Sequence, residues 1–443
     1  MTIAASGGAH AEDGTTDEKV QRLEKEVAEL RAAIEELRGL GVAEDRLVEI
    51  ERRIEILATE IEDMRVGEAA VTATRQDAVP GLGPAASKVY QKDAGVSIGG
   101  YGEALFERFE DERDDGSGSN RTDSFDFLRA VMYFGYKFND NWLFNSEIEI
   151  EHASTSKSGS VSVEFAYVDY LYRDWLKARA GLLLLPMGLL NELHEPTVYL
   201  GAKRPETERQ IIPSTWRENG IGVHGDVGGF TYRSYIVNGL DASGFSSEGL
   251  RGGRQKGSRA KAEDFAWVGR FDYVGTPGLL IGGSVYAGDS GQGLTGVNDE
   301  TLSVGTLIAE GHFDYKIKGF DLRGLYSRAT VDEVAELNAA LGYVGDDSIG
   351  EVLEGYYLQA GFDLLRNNER QALLPYLRWE TLDTQVQVPD GYETNPANDQ
   401  EILTLGLAYQ PIEQLILKVE YQDVDNEAGT GLDQLNVQFG YIF

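Results

Sequence analysis

The chain has 443 residues with no cysteine, 74 acidic against 40 basic side chains, 53 glycines and 11 prolines, for a formal charge of −34. That charge excludes general nucleic-acid binding, which needs a basic face to displace counterions, and the missing cysteine excludes disulfide frameworks, thiolate metal sites and cysteine nucleophiles. A hydrophobic fraction of 42% with 22 Tyr and 17 Phe is too apolar for a disordered chain, yet no window of about 18 uncharged apolar residues offers a transmembrane helix.

Residues 1–15 read as a leader or the remnant of a signal peptide. Ala9-His10-Ala11 ahead of Glu12 has the small-x-small form of a cleavage site, although Met1 to His10 lack an apolar core. Residues 16–65 read as an α-helical coiled coil. Apolar side chains fall at Val20, Leu23, Val27, Leu30, Ile34 and Leu37, and after Gly39-Leu40-Gly41 at Leu47, Ile50, Ile54, Leu57, Ile61 and Met64. The register slips by one residue between the two runs, so two short coils joined by a glycine break fit better than one rod. Each run makes a helix of roughly 30 Å, too short to persist unpaired, and self-association or a hairpin is expected. Residues 66–94 lose the heptad, collect Pro80, Gly81, Gly83 and Pro84, and read as a linker.

From Gly95 to Phe443 the period changes to two. In Trp142–Glu151 the even positions Trp142, Phe144, Ile148 and Ile150 are apolar, while Glu147, Glu149 and Glu151 share the odd face. Phe265, Trp267, Phe271 and Tyr273 oppose Arg270 and Asp272 in the same way, and Leu415, Leu417, Val419 and Tyr421 oppose Lys418 and Glu420. This alternation predicts sixteen strands, starting near residues 96, 124, 142, 161, 176, 219, 230, 265, 279, 303, 320, 354, 371, 401, 414 and 433. Tight turns are expected at Asn139-Asp140-Asn141, Arg173-Asp174, Gly228-Gly229, Gly275-Thr276-Pro277-Gly278, Lys318-Gly319, Asn367-Asn368 and Gln410-Pro411. Long loops are expected near 110–122, 154–160, 186–218, 239–263, 288–301, 331–351, 384–400 and 424–431. A soluble sandwich would bury the apolar face against a second sheet and has no need of that short/long alternation. The expected fold is therefore all-β: a 16-stranded antiparallel transmembrane β-barrel over 95–443, preceded by the N-terminal coiled coil. An even strand count places both ends, and the coil, on the periplasmic side of an outer membrane. The closing stretch Leu435 to Phe443 resembles the C-terminal signal of bacterial outer-membrane proteins.

A narrower resemblance sits between 179 and 225. Arg179-Ala-Gly-Leu-Leu-Leu-Leu-Pro186-Met-Gly188, followed by Glu206-Thr-Glu-Arg209-Gln-Ile-Ile-Pro213-Ser-Thr-Trp216-Arg217-Glu-Asn-Gly220-Ile-Gly222-Val-His224-Gly225, resembles the phosphate-selective porin O and P family and the related coiled-coil-tethered trimeric porins associated with dicarboxylates. That resemblance implies a homotrimer of bacterial outer-membrane channels whose third long loop, here 186–218, folds inward as a constriction. Phosphate selectivity is not carried over, because no phosphate-type motif beyond this frame is present.

A sixteen-stranded barrel is wide enough to hold water, so lumen chemistry decides function. By parity the pore-lining basic residues are Arg129, Lys177, Arg179, Arg233, Arg270, Arg323, Arg378 and Lys418, and the constriction loop adds Lys203, Arg204, Arg209 and Arg217. Inward acids include Glu147, Glu149, Glu151, Asp272, Glu310, Asp314, Glu380 and Glu420. A fixed charge at the narrowest point acts at lower effective dielectric than one at the mouth. The loop cations therefore favour small anions such as carboxylates or phosphate, diffusing passively. Glu192, Glu195, Glu206, Glu208 and Glu218 lie in the same loop, and the alternative is a weakly selective or structural barrel, its Arg and Glu paired across the lumen, tethered to the cell wall by its coil. Much of the negative charge lies elsewhere, with 18 acids against 9 bases between residues 12 and 68. No cofactor, metal site or catalytic group is expected: His10, His152, His194, His224 and His312 are scattered, and none lies in a G-x-S-x-G or H-E-x-x-H frame.

Overall fold

The computed structural model describes residues 78–443 apart from Glu369, together with isolated positions between Arg22 and Ile54. The chain divides into two units, Met1–Val71 and Thr72–Phe443. In the first, the described positions are helical, Val27 and Ile54 are buried, and Lys25 and Glu29 form an i,i+4 pair at 3.8 Å. The predicted leader, the coiled coil as a whole and the linker up to residue 77 lie outside the described residues.

The second unit is built from strands whose two faces differ in chemistry. The first eight are β1 (Gly95–Phe109), β2 (Ser124–Asn139), β3 (Trp142–Glu151), β4 (Val161–Arg173), β5 (Leu176–Leu184), β6 (Arg217–Val227), β7 (Phe230–Asn238) and β8 (Phe265–Tyr273). The second eight are β9 (Leu279–Asp289), β10 (Gly305–Ile317), β11 (Phe320–Val331), β12 (Val352–Phe362), β13 (Ala372–Gln387), β14 (Asp399–Ile412), β15 (Leu415–Asn426) and β16 (Gln434–Ile442). Each strand pairs antiparallel with its chain neighbours, and β1 pairs with β16 from Tyr101↔Ile442 to Phe109↔Gln434, closing the barrel. Phe443 seals the seam, its amide donating to the Gly100 carbonyl at 2.9 Å and its carbonyl accepting from the Gly100 amide at 3.1 Å. Closure leaves no unpaired sheet edge.

Burial is inverted relative to a water-soluble protein. On β8 Phe265, Trp267 and Phe271 are exposed while Arg270 and Asp272 are buried, and on β15 Leu417, Val419 and Tyr421 are exposed while Lys418 and Glu420 are buried. An apolar outer band and a charged interior are what a strand needs when its outer solvent is hydrocarbon. Aromatic pairs ring the end that carries the short turns: Trp142–Tyr170 at 4.6 Å, Phe230–Phe271 at 5.1 Å and Phe320–Phe362 at 4.8 Å between ring centroids. Amphipathic rings at such a girdle suit the boundary between lipid and water.

Two expected turns differ in detail. Asn367-Asn368 lies within a longer connection, 363–371, and the turn expected at Gln410-Pro411 is at 413–414. Pro411 instead falls at the register break between Tyr409 and Ile412, where its missing N–H removes no ladder bond. The stretch Pro84–Gln91, which its glycine and proline content marks as linker, folds into helix α1 (Pro84–Ser87) and a 3-10 turn, Lys88–Gln91, against the inner wall.

Candidate functional site

The connection between β5 and β6, residues 185–216, lies inside the barrel. It descends from the loop end to the turn end, where the Thr197 carbonyl accepts from Gln410 at 3.4 Å, and climbs back through helix α2 (Glu206–Gln210). Wall cations clip its carbonyls. Arg270 donates to Gly188, Arg323 to Val198 at 3.1 Å, Lys418 to Gly201 at 2.8 Å and Arg378 to Lys203 at 3.3 Å. Carboxylates clip its amides: Glu420 accepts from Ala202 at 2.7 Å and Lys203 at 3.1 Å, and Glu380 from Thr207 at 2.6 Å. The backbone of an irregular segment at this depth has no sheet to satisfy it, and charged wall residues supply the missing partners. Gly201 is required here because a Cβ would lie 2.5 Å from the Lys203 carbonyl oxygen and 2.7 Å from Arg378 Nη1.

A second loop, 239–264 between β7 and β8, crosses the barrel mouth. The Ser247 carbonyl at its tip accepts from Thr384 Oγ1 of β13 at 2.5 Å and from Asn398 at 2.9 Å. Its return limb rests on the first loop, with Arg254 donating to the Pro213 carbonyl at 3.2 Å and the Thr215 carbonyl at 2.5 Å. The two loops, the β13–β14 connection and the β14–β16 wall border an open cavity of about 1060 Å³. Six basic side chains line it, Arg121, Lys203, Arg209, Arg251, Arg254 and Lys256, against two acids, Glu206 and Glu248. Arg209 binds Glu206 at 2.5 Å and Lys203 binds Glu107 at 3.1 Å, so the excess of positive charge belongs mainly to the second loop. Burial, followed by the like charges of Arg254, Arg209 and Arg204, pushes Arg251 down to about 9. Burial and then Arg217 push Arg254 down to about 10, and burial with Arg254 and Arg217 lowers Lys256. Crowded cations of this kind are relieved by an anion.

Of the four residues expected at the constriction, Lys203 and Arg209 line this cavity. Arg204 lies in the same limb, and its buried Nη2 has no hydrogen-bond partner. Arg217 is the first residue of β6 rather than part of the loop, since it pairs with Leu184 and binds Glu164 at 2.7 Å and Ser162 at 3.2 Å. A bulge makes that contact. Glu147 and Ile148 of β3 face Phe165 and Val163, and the extra residue, Glu164, turns inward.

The eight wall cations expected to line the pore do face inward, and each has a partner. Besides the four that clip the loop, Arg129 binds Glu103 at 2.7 Å, Lys177 binds Asp226 at 2.9 Å, Arg179 binds Asp169 at 2.9 Å, and Arg233 binds Glu192 at 3.2 Å and Asp272 at 3.0 Å. They hold the constriction more than they form it. Sequence reasoning missed Arg251, Arg254 and Lys256, although Arg251-Gly-Gly-Arg254-Gln-Lys256-Gly-Ser-Arg259-Ala-Lys261 is a visible basic run in an acidic chain. The four described histidines are all engaged with carboxylates: His152 with Asp126, His194 with Glu147, His224 with Asp169, and His312 with both Asp272 and Glu310.

No family model matches the chain. An uncharacterized protein of Aquifex aeolicus (strain VF5) is 38% identical over 355 residues, which cover 77% of this chain and 78% of that one. The chain belongs to that protein's family. Among solved structures, the outer membrane channel DcaP of Acinetobacter baumannii is 13% identical and covers 79% of this chain and 97% of its own, with a TM-score of 0.51. An anion-selective porin from Comamonas acidovorans matches at 11% identity, 79% and 100% coverage and a TM-score of 0.51, and Salmonella typhi OmpF at 11%, 80% and 99% with 0.53. The fold is thus that of a bacterial outer-membrane porin.

Proposed function

We propose that this protein is an outer-membrane porin through which small anions, carboxylates or phosphate among them, diffuse passively. The observation that carries the reading is the cavity lined by six cations and two acids in a chain of net charge −34. Charge of the wrong overall sign cannot concentrate anions; a local cluster held in a partly desolvated neck can. That the solved structures sharing this fold include an outer membrane channel and an anion-selective porin agrees with this reading. Both barrel ends and the heptad region belong in the periplasm; the heptads imply self-association, and the resemblance at 179–225 implies three copies. Relation to the phosphate-selective porins rests on that segment alone. A second reading, a weakly selective barrel tethered by its coil, is favoured by the pairing of all eight wall cations. Single-channel recording of the purified protein in a planar bilayer tests the proposal. Three equal conductance steps are expected, and absence of any conductance defeats it.

A further inference from the structure

Val79–Gln91 lies within the turn-end half of the barrel and contributes no strand to it. Its apolar residues Leu82, Ala85, Ala86 and Val89 recur at helical spacing, and all four are buried. They join one apolar cluster with Tyr101, Tyr133, Leu143, Phe165 and Tyr167 of the inner wall and with Leu185 of the constriction loop. Polar contacts fix the segment to both. Asn145 of β3 donates to the Ala86 carbonyl at 2.9 Å, Lys88 to the Ile98 carbonyl at 2.7 Å, and Tyr90 to Asp169 at 2.6 Å, while Arg179 donates to the Tyr90 hydroxyl at 3.0 Å. Toward the loop, the Glu195 carboxylate accepts from the amides of Ala85 and Ala86, each at 3.1 Å. Glycine is needed at position 83 because a Cβ would lie 2.3 Å from Glu195 Cδ.

We propose that Val79–Gln91 is an occluding plug that shuts the β1–β5 side of the lumen and positions the constriction loop through Glu195. This goes beyond anion selectivity: it says which part of the barrel cross-section conducts. The segment supplies no ladder bond, so its removal leaves the wall closed while opening the space it fills.

The test uses the full-length chain in bilayers. Ala86→Trp inserts a ring at a position that is 3% exposed inside the apolar cluster, and overpacking of this kind displaces the weaker-held partner. Displacement is read separately with Val89→Cys, the chain having no other thiol. The introduced thiol is shielded in the single variant and reactive in the Ala86→Trp background. Single-channel conductance is expected to rise roughly twofold or more as the open cross-section grows. Unchanged conductance with a reactive thiol overturns the proposal, and where the thiol stays shielded the deletion of residues 79–91 is recorded instead, unchanged conductance there overturning it equally. Should Ala86→Trp fail to assemble, deletion of residues 79–91 takes its place with the same expected rise. Failure of the deletion to assemble as well makes the segment part of the barrel's core and overturns the plug equally. Ion sign is read independently: a rise in conductance with cation preference sinks the anion reading and leaves the plug standing.

Discussion

The two sides of the lumen are made from strands of the same period, and both carry inward charges, but they differ in how much aromatic surface they turn inward. On β2–β5 the inward positions include Tyr133, Leu143, Phe165, Tyr167 and Leu183, stacked and buried beneath the plug segment and the constriction loop. On β12–β16 they include Gln359, Arg378, Thr404, Lys418, Gln422, Asn436 and Gln438, a polar wall whose outer stretch borders the cationic cavity. Alternation therefore decides that a barrel forms, and the residues chosen for the inward face decide whether its interior becomes a packed core or a path for solute. In the first case apolar burial stabilises the fill, and in the second hydrogen bonds and ion pairs hold one loop at a fixed depth.

Charge reversal in the cavity should have the largest effect. Arg251→Glu with Arg254→Glu leaves four cations against four acids among the lining residues, and the reversal potential in a salt gradient should move from anion-selective to near zero or cation-selective. On the packed side, Phe165→Ala removes a ring stacked on Tyr133 at 6.0 Å and Tyr167 at 5.3 Å. It should cost about 3–5 kcal/mol of unfolding free energy, read by denaturant titration, and leave selectivity unchanged. On the polar side, Lys418→Met leaves the Gly201 carbonyl without its donor. A loss of about 1–3 kcal/mol is expected, together with noisier open-channel current as the loop loosens. The smallest effect carries an unusual sign. Arg251 is a base whose folded value, about 9, lies below its ordinary one, so its charge costs stability at every pH below 9, and that cost fades as the pH rises further. Arg251→Gln should therefore raise the thermal midpoint at pH 7 while weakening anion preference.

Much of the barrel is legible in the chain because lipid on one side and a polar lumen on the other force strict alternation. All sixteen strand starts fall within two residues of those the alternation predicts. Turns were less legible where a strand's end overlaps a proline, as at Pro411, or where an asparagine pair sits inside a longer connection, as at 367–368. Parity identified the inward faces of Arg378 and Lys418, but no periodicity tells whether an inward cation meets solute or a loop carbonyl. That depends on the path of residues 185–216, which is fixed by contacts distant in sequence. The Leu82, Ala85, Ala86 and Val89 spacing is helical in the bare sequence, yet Pro80, Gly81, Gly83 and Pro84 mask it. Those glycines serve close approach to Glu192 and Glu195 rather than flexibility. Arg217 looked like a loop residue because the β3–β4 bulge that brings Glu164 to it leaves no local signature.

Reversal potential across a bilayer holding the wild-type protein in a tenfold potassium chloride gradient tests the central claim most directly. The cationic cavity predicts a potential of the sign set by chloride, with anions favoured. A potential of the sign set by potassium would contradict it.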